Sequence, residues 1–280
     1  YNIAIGTDAF DAEDGNASYA IAIGLNALGG TNHDDADYNI AIGHNAVASA
    51  NTSGMSGIVI IGQTAGFAMN NAGANYTTGI GFEVFRNLTS GQGNTAIGKH
   101  ALYAEDDGDF NTAVGFEALK AQTGTSGTVA NTAVGHHALT RLTTGTMNTA
   151  VGQASQDYNR TGVNNTSVGK ESLSQLGHDD SDNNTAVGFQ AMRSAGTPNN
   201  NDAAQNVAVG SKALTAILDG DNNVAVGYLA GAAITTGGNN VIIGHQAGDG
   251  FTANTTMTLI GSEAGTTINS NNANGTVAVG

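Results

Sequence analysis

The chain repeats one short pattern of apolar and small positions. A β-branched residue, a small residue and a second β-branched residue precede a glycine, as in Ile40-Ala41-Ile42-Gly43 and Thr132-Ala133-Val134-Gly135. The pattern occurs sixteen times, at spacings of 17 to 22 residues; Gly43, Gly98, Gly115, Gly135, Gly152, Gly188 and Gly227 are representative of its glycines. The residue before the glycine is always Ile or Val, the residue three before it is Ile, Val or Thr, and the one between is Ala in eleven copies. β-Branched residues two apart predict one face of a short strand. That face, Thr methyls included, is expected to point into the core. The Ala face is expected to be a second close-packed surface rather than one open to water. A helix would need apolar residues at i, i+3, i+4 and i+7, and the glycine and β-branched columns oppose it.

The flanking columns extend the repeat. Asn stands four residues before the glycine in eleven copies, among them Asn94, Asn111, Asn131, Asn148, Asn165 and Asn184. Stacked one per layer, these predict a ladder of side-chain amides bonded along the stack. The glycine reads as a tight turn with positive φ. Ala follows three residues later in twelve of fifteen copies, which predicts a second short inward-facing strand. One such repeat cannot bury itself, whereas stacked copies can. The prediction is an all-β parallel β-solenoid; at about 4.8 Å per strand it would be a rod on the order of 70 Å long. Residues 1–280 read as a single repeat domain. Both chain ends fall inside a motif and no atypical capping repeat is visible, so a fragment of a longer fibre protein is expected.

Composition agrees with a thin core of small side chains. There are 41 Gly, one Pro, no Cys and no Trp, and aromatic residues are 5%. Collagen, disulfide scaffolds and Cys-ligated zinc are thereby excluded. The net charge of −15 makes nucleic acid and anionic membrane poor partners. No apolar run approaches a membrane span, so no membrane insertion is expected in this segment. The missing Cys fits an extracellular, cell-surface or virion location.

The acidic residues share a register. Asp34, Asp35 and Asp37, then Asp106, Asp107 and Asp109, then Asp179, Asp180 and Asp182 form Asp-Asp-x-Asp groups, each ending six residues before its glycine. Asp219-Gly220-Asp221 repeats the last part of the group. One reading is Ca²⁺ binding by turn carboxylates. The other, preferred here in the absence of EF-hand or nonapeptide spacing, is Asx-turn chemistry along a solvated acidic edge. No cofactor is required on either reading.

Other candidate positions are weaker. His44, His136 and His245 follow the glycine, with His100 and His137 one residue further on; an ion on an oligomer axis is one use for them and a solvated surface the commoner one. Phe82, Phe116, Phe189 and Tyr228 share the post-glycine position, where a packed corner is favoured over an exposed carbohydrate contact. The longest spacing, Gly188 to Gly210, holds Thr197, Asn199, Asn200 and Asn201, the best candidate for a protruding ligand loop. No nucleophile elbow or phosphate loop occurs, so an enzyme is not expected.

Segments such as Asn39-Ile40-Ala41-Ile42-Gly43 and Asn206-Val207-Ala208-Val209-Gly210 resemble the head repeats of trimeric autotransporter adhesins and related trimeric phage and bacterial fibres. The resemblance covers essentially the whole chain, although these repeats are longer than the family's usual ones. It implies a left-handed parallel β-roll in a homotrimer. The function this suggests is a structural and adhesive fibre segment, whose partners are copies of itself and a cell-surface glycan or protein. An oligomer is also expected because a thin roll buries little apolar area per layer, and packing several Ala faces together would add burial. An ice-binding solenoid is the alternative, from the Thr column Thr78, Thr95, Thr112, Thr132, Thr149, Thr166 and Thr185. Ile and Val at both ends of that column argue that it faces inward. A glycan-cleaving tailspike ranks third.

Overall fold

The computed structural model describes residues 1–11, 18–30, 37–49, 54–70, 72–123, 126–176, 181–194, 196, 201–268 and 273–280. They form an all-β solenoid, without an α-helix among the described residues. The chain divides into two compact units, Tyr1–His136 and His137–Gly280.

The first unit contains β1 (Ile3–Ile5), β2 (Ile21–Ile23), β3 (Ile40–Ile42), β4 (Val59–Ile61), β5 (Thr78–Ile80), β6 (Thr95–Ile97), β7 (Gly108–Asp109), β8 (Thr112–Val114), β9 (Gly127–Thr128) and β10 (Thr132–Val134). All but β7 and β9 form one parallel ladder in chain order, and β7 pairs with β9 separately. The second unit stacks β11 (Thr149–Val151), β12 (Thr166–Val168), β13 (Thr185–Val187), β14 (Val207–Val209), β15 (Val224–Val226), β16 (Val241–Ile243), β17 (Thr258–Ile260) and β18 (Val277–Val279) in the same way. Equivalent residues of successive repeats are paired: Thr132 with Thr112 and Ala133 with Ala113, then Val207 with Val224 and Ala208 with Ala225. Insertions between repeats therefore leave the strand register unchanged.

The strands face the opposite way from the sequence expectation. The middle residue is the buried one: Ala96, Ala113, Ala133, Ala186 and Ala208 have no exposed surface. The flanking β-branched residues lie outward; Ile97 is 39% exposed and Val209 36%. The Thr residues beside them are half-buried, not core residues. The interior is too narrow for two large side chains per layer. Six residues after the Ala a larger buried side chain usually faces it, such as Leu28, Leu102, Leu119, Leu139, Met192 or Leu214.

Exceptions to the Ala column are compensated in size. Gly79 faces Phe85, and a Cβ on Gly79 would come within 2.8 Å of that ring and 3.0 Å of Ile60. Where Ile60, Ile242 or Leu259 replaces Ala, the residue six on is Gly66, Gly248 or Gly265. Close packing conserves volume across the two columns. A different exception lies in the second unit, where the interior is polar. Gln156 donates from Nε2 to the Thr149 carbonyl at 3.0 Å and to Ser167 Oγ at 2.8 Å, and its Oε1 accepts from Asn159 Nδ2 at 3.1 Å.

The segment after the glycine is not a second strand. Its second and fourth residues are left-handed, as in His100 (φ 58°) and Leu102 (φ 47°), or Glu117 (φ 55°) and Leu119 (φ 51°). Each such non-glycine residue costs about 1–3 kcal/mol of backbone strain. The alternation curls the chain into the interior while keeping its N–H groups along the stack. Leu102 N donates to the Ala118 carbonyl at 3.0 Å, and Glu117 N donates to Lys99 at 3.0 Å.

Candidate functional site

The outward face of each ladder is the most extensive functional candidate. Its last strand column is Ile or Val throughout, exposed at Ile80 and Ile97 in the first unit and at Val168, Val187, Val209, Ile243 and Ile260 in the second, and half-buried at Ile23, Ile42, Ile61, Val114, Val134, Val151 and Val226. The column two residues earlier is Thr, Val or Ile, half-buried by its own neighbours. In-register pairing makes each column an unbroken row within its unit. Rows of outward-facing apolar side chains make this face the first place to look for an interaction surface.

Aromatic and titratable residues border this face. Phe82, Phe116, Phe189 and Tyr228 are between 39% and 48% exposed, so they are not packed corners. Phe116 stacks on His136 and Tyr228 on His245, both at 5.4 Å between ring centroids. Lys99 Nζ lies 5.6 Å from the Phe82 ring and 5.8 Å from that of Phe116, a distance range typical of cation–π contact. His100 stands between carboxylates, with Nε2 3.1 Å from Glu83 and Nδ1 3.5 Å from Glu117. The same carboxylates pair with Arg86 at 2.7 Å and Lys120 at 2.8 Å. These histidines are engaged with rings and carboxylates within their own unit. Along another column Tyr1, Tyr19 and Tyr38 stack at 5.4 and 5.0 Å.

The Asn column is buried and forms a ladder whose partners are mostly backbone groups. Asn94, Asn148, Asn165 and Asn184 each accept, through Oδ1, the backbone N–H of the Asn one layer on. Their Nδ2 groups donate to the carbonyls of Gly108, Gly162, Ser181 and Ala203. Asn111 Oδ1 accepts from Asn131 N, and Asn131 Nδ2 donates to Gln122. The N–H is turned inward by the left-handed residue before it, for example Phe110 (φ 61°) before Asn111. Direct amide-to-amide bonds appear at Asn206, Asn223 and Asn240.

The repeat glycines close this framework. Gly43, Gly98, Gly115, Gly135, Gly152, Gly188 and Gly227 have φ between 133° and 142°, open only to glycine. A Cβ on Gly115 would collide with the carbonyl of Gly135.

The shared acidic register has a structural cause. The last Asp of each group caps a backbone N–H in the preceding layer: Asp37 caps Ser18, Asp109 caps Gln92, Asp182 caps Val163 and Asp221 caps Ala204, at 2.6 to 2.8 Å. Asn75 does the same for Ser56. Asp34, Asp35, Asp179 and Asp180 lie outside the described residues. Asp106 and Asp107 gather with Glu105, which was not among the residues expected from sequence and lies in a column that elsewhere holds Leu88, Leu142, Ile217 and Ile234 but also Gln122 and Asn159.

Of the proposed ligand loop, Thr197, Asn199 and Asn200 lie outside the described residues. Asn201 is buried; its Nδ2 donates to the Gln175 carbonyl at 3.0 Å and Ser194 Oγ at 2.7 Å. Its side chain is thus satisfied inside the fold rather than exposed. Next to this anchor is an open cleft of about 190 Å³ lined by Asp157, Tyr158, Glu171, Ser174, Gln175 and Arg193. The Arg141 guanidinium covers the Tyr158 ring at 3.8 Å. A hydrogen bond from Gln190, with Lys170 and Arg193 nearby, holds the Glu171 carboxyl below its usual range.

No protein-family model matches the chain, and no curated protein sequence matches it.

Proposed function

We propose that the chain is a structural and adhesive segment of an extracellular fibre, associating with copies of itself through the outward β-branched face. The observation that carries this reading is the row of exposed and half-buried Ile and Val along the outward side of each parallel ladder. Water-facing positions on a solitary soluble strand are ordinarily polar. Here the last strand position is Ile or Val in every described layer, which fits a face covered by an identical copy. A homotrimer is the assembly suggested by the repeat resemblance, with the unit-two cleft beside Tyr158 as the place for a surface glycan. Light scattering on the purified chain tests the association: a stable trimer supports the reading and a stable monomer overturns it. Glycan-array binding reduced by Tyr158→Ala tests the adhesive half.

Ice binding is the second reading, and one observation favours it. Thr78, Thr95, Thr112 and Thr132 face outward in one unit, and Thr149, Thr166 and Thr185 do so in the other. The inward orientation that had argued against this function is not what the fold adopts. The fibre reading ranks first because Val207, Val224 and Val241 interrupt the Thr column while the apolar column is unbroken. Thermal hysteresis by the purified chain would reverse the order.

A further inference from the structure

Glu105 occupies a position that other layers give to the core. Seven residues after the repeat glycine stand Leu88, Leu142, Ile217 and Ile234, all fully buried. Glu105 is equally shielded, with no exposed surface. Its Oε1 accepts three backbone N–H groups, from Asp106 at 3.1 Å, Asp107 at 3.2 Å and Gly108 at 2.8 Å. In the second unit Asn159 closes the equivalent turn with a neutral amide, accepting from Gly162 N at 2.8 Å. Turn closure therefore does not require a carboxylate.

The rest of the carboxylate is uncompensated. Glu105 Oε2 is buried without a hydrogen-bond partner, and so is Asp107 Oδ1. Among the described residues no Lys or Arg pairs with either. Yet Glu105, Asp106 and Asp107 each bring one carboxylate oxygen within 4.8 Å of the others. Oxygens that close can share one ion, since Ca–O bonds are about 2.4 Å. Asp106 is exposed and Asp107 partly so, which opens the cluster to solvent. Burial raises the affinity of Glu105 and of Asp107 for a proton, and the charge of Asp106 adds to it; a bound cation would relieve the same crowding.

We propose that Glu105, Asp106 and Asp107 form a binding site for one Ca²⁺ ion, with Glu105 as its buried ligand and water completing the shell. The donors are all carboxylate oxygens, which select a hard cation. Three neighbouring residues on an irregular turn suit the flexible coordination of Ca²⁺ better than the rigid octahedron of Mg²⁺. Asp109 lies outside this group of three, and its Oδ1 accepts from Gln92 N in the preceding layer. The other two acidic groups carry His33 and His178 where this one carries Glu105, so the expected stoichiometry is one ion per chain.

Calorimetric titration of CaCl₂ into the full, chelator-stripped chain tests this. One site per chain and a Ca²⁺-dependent rise in melting temperature are expected. Glu105→Gln should weaken binding about tenfold or more, the scale on which even outer-sphere partners act. Glu105→Leu places in this column the residue of the preceding layer, Leu88, so it should remove binding while keeping the circular dichroism spectrum. Asp179→Asn with Asp180→Asn should leave the stoichiometry unchanged. Absence of binding at millimolar Ca²⁺, or binding undiminished in both Glu105 variants, overturns the proposal.

Discussion

Asn223 Oδ1 accepts the backbone N–H of Asn240 at 3.1 Å, one layer further along the stack. The same Asn223 donates from Nδ2 to the Gly237 carbonyl at 2.9 Å. One buried amide thus joins the strand entry of one turn to both the strand and the loop of the next. Repeated in successive layers, this bond holds each turn at the register its neighbour dictates.

The Asn column should therefore be intolerant of truncation. Asn148→Ala strands the Asn165 N–H and the Gly162 carbonyl, both of which Asn148 now satisfies. Each buried group left unpaired costs about 1–3 kcal/mol. A clear fall in the chemical-denaturation midpoint is expected. A midpoint equal to that of the parent would show that the ladder is dispensable.

Gly115→Ala should be worse than an ordinary surface change. The φ of 141° is open essentially to glycine alone, and forcing another residue there costs about 1–3 kcal/mol before any clash is counted. The added methyl also meets the Gly135 carbonyl. Loss of the cooperative thermal transition, or a large drop in its midpoint, is the expected result.

The two faces of a strand should respond in opposite ways. Ile97→Asp changes an exposed residue, so the chain should fold as before while its mass by light scattering falls to that of a monomer. Ala96→Leu overfills a closed interior already occupied by Leu102, which costs about 1–3 kcal/mol or more. Unfolding by the first change and tolerance of the second would invert the strand orientation described above.

Those two neighbours also show what was legible beforehand. The columns placed every main-ladder strand, because the glycine and the β-branched pair fix a short extended segment. They did not show which side was inside, because Ala96 and Ile97 are both apolar and alternation alone ranks neither. The pairing of Ile60 with Gly66, and of Gly79 with Phe85, could have decided it. A size exchange at a fixed offset of six residues means that the two columns touch. The left-handed turn after the glycine was hidden for another reason: Leu102 and His100 carry no local preference for that conformation, and interlayer hydrogen bonds impose it. Glu105 did not stand out because it adjoins an acidic run and because its column, though it holds Leu88, Leu142, Ile217 and Ile234, also holds Gln122 and Asn159.

Acidity gives a separate check on that residue. Burial, opposed by its three backbone hydrogen bonds and reinforced by Asp106, pushes the Glu105 carboxyl above its usual range. A carboxyl that holds its proton more tightly when folded contributes stability below an unfolded value of about 4.3, and that contribution is lost as pH rises through the folded value. In chelator, Glu105→Gln should melt higher than the parent near neutral pH, with the gap closing as pH falls to about 4. Parallel melting curves across that range would show that the carboxyl is not strained.

Identical rungs also bear on how such a chain lengthens over time. In a repeat stack each turn meets the turns on either side, and the junctions here share the in-register strand pairing and the repeat glycine, most of them with the Asn amide as well. Duplication of one 17-residue stretch, such as that from Gly227 to Gly244, would add about 4.8 Å without creating a new kind of contact. Unequal recombination between such similar segments can therefore tune reach in fixed steps, while the longer inserts diversify separately.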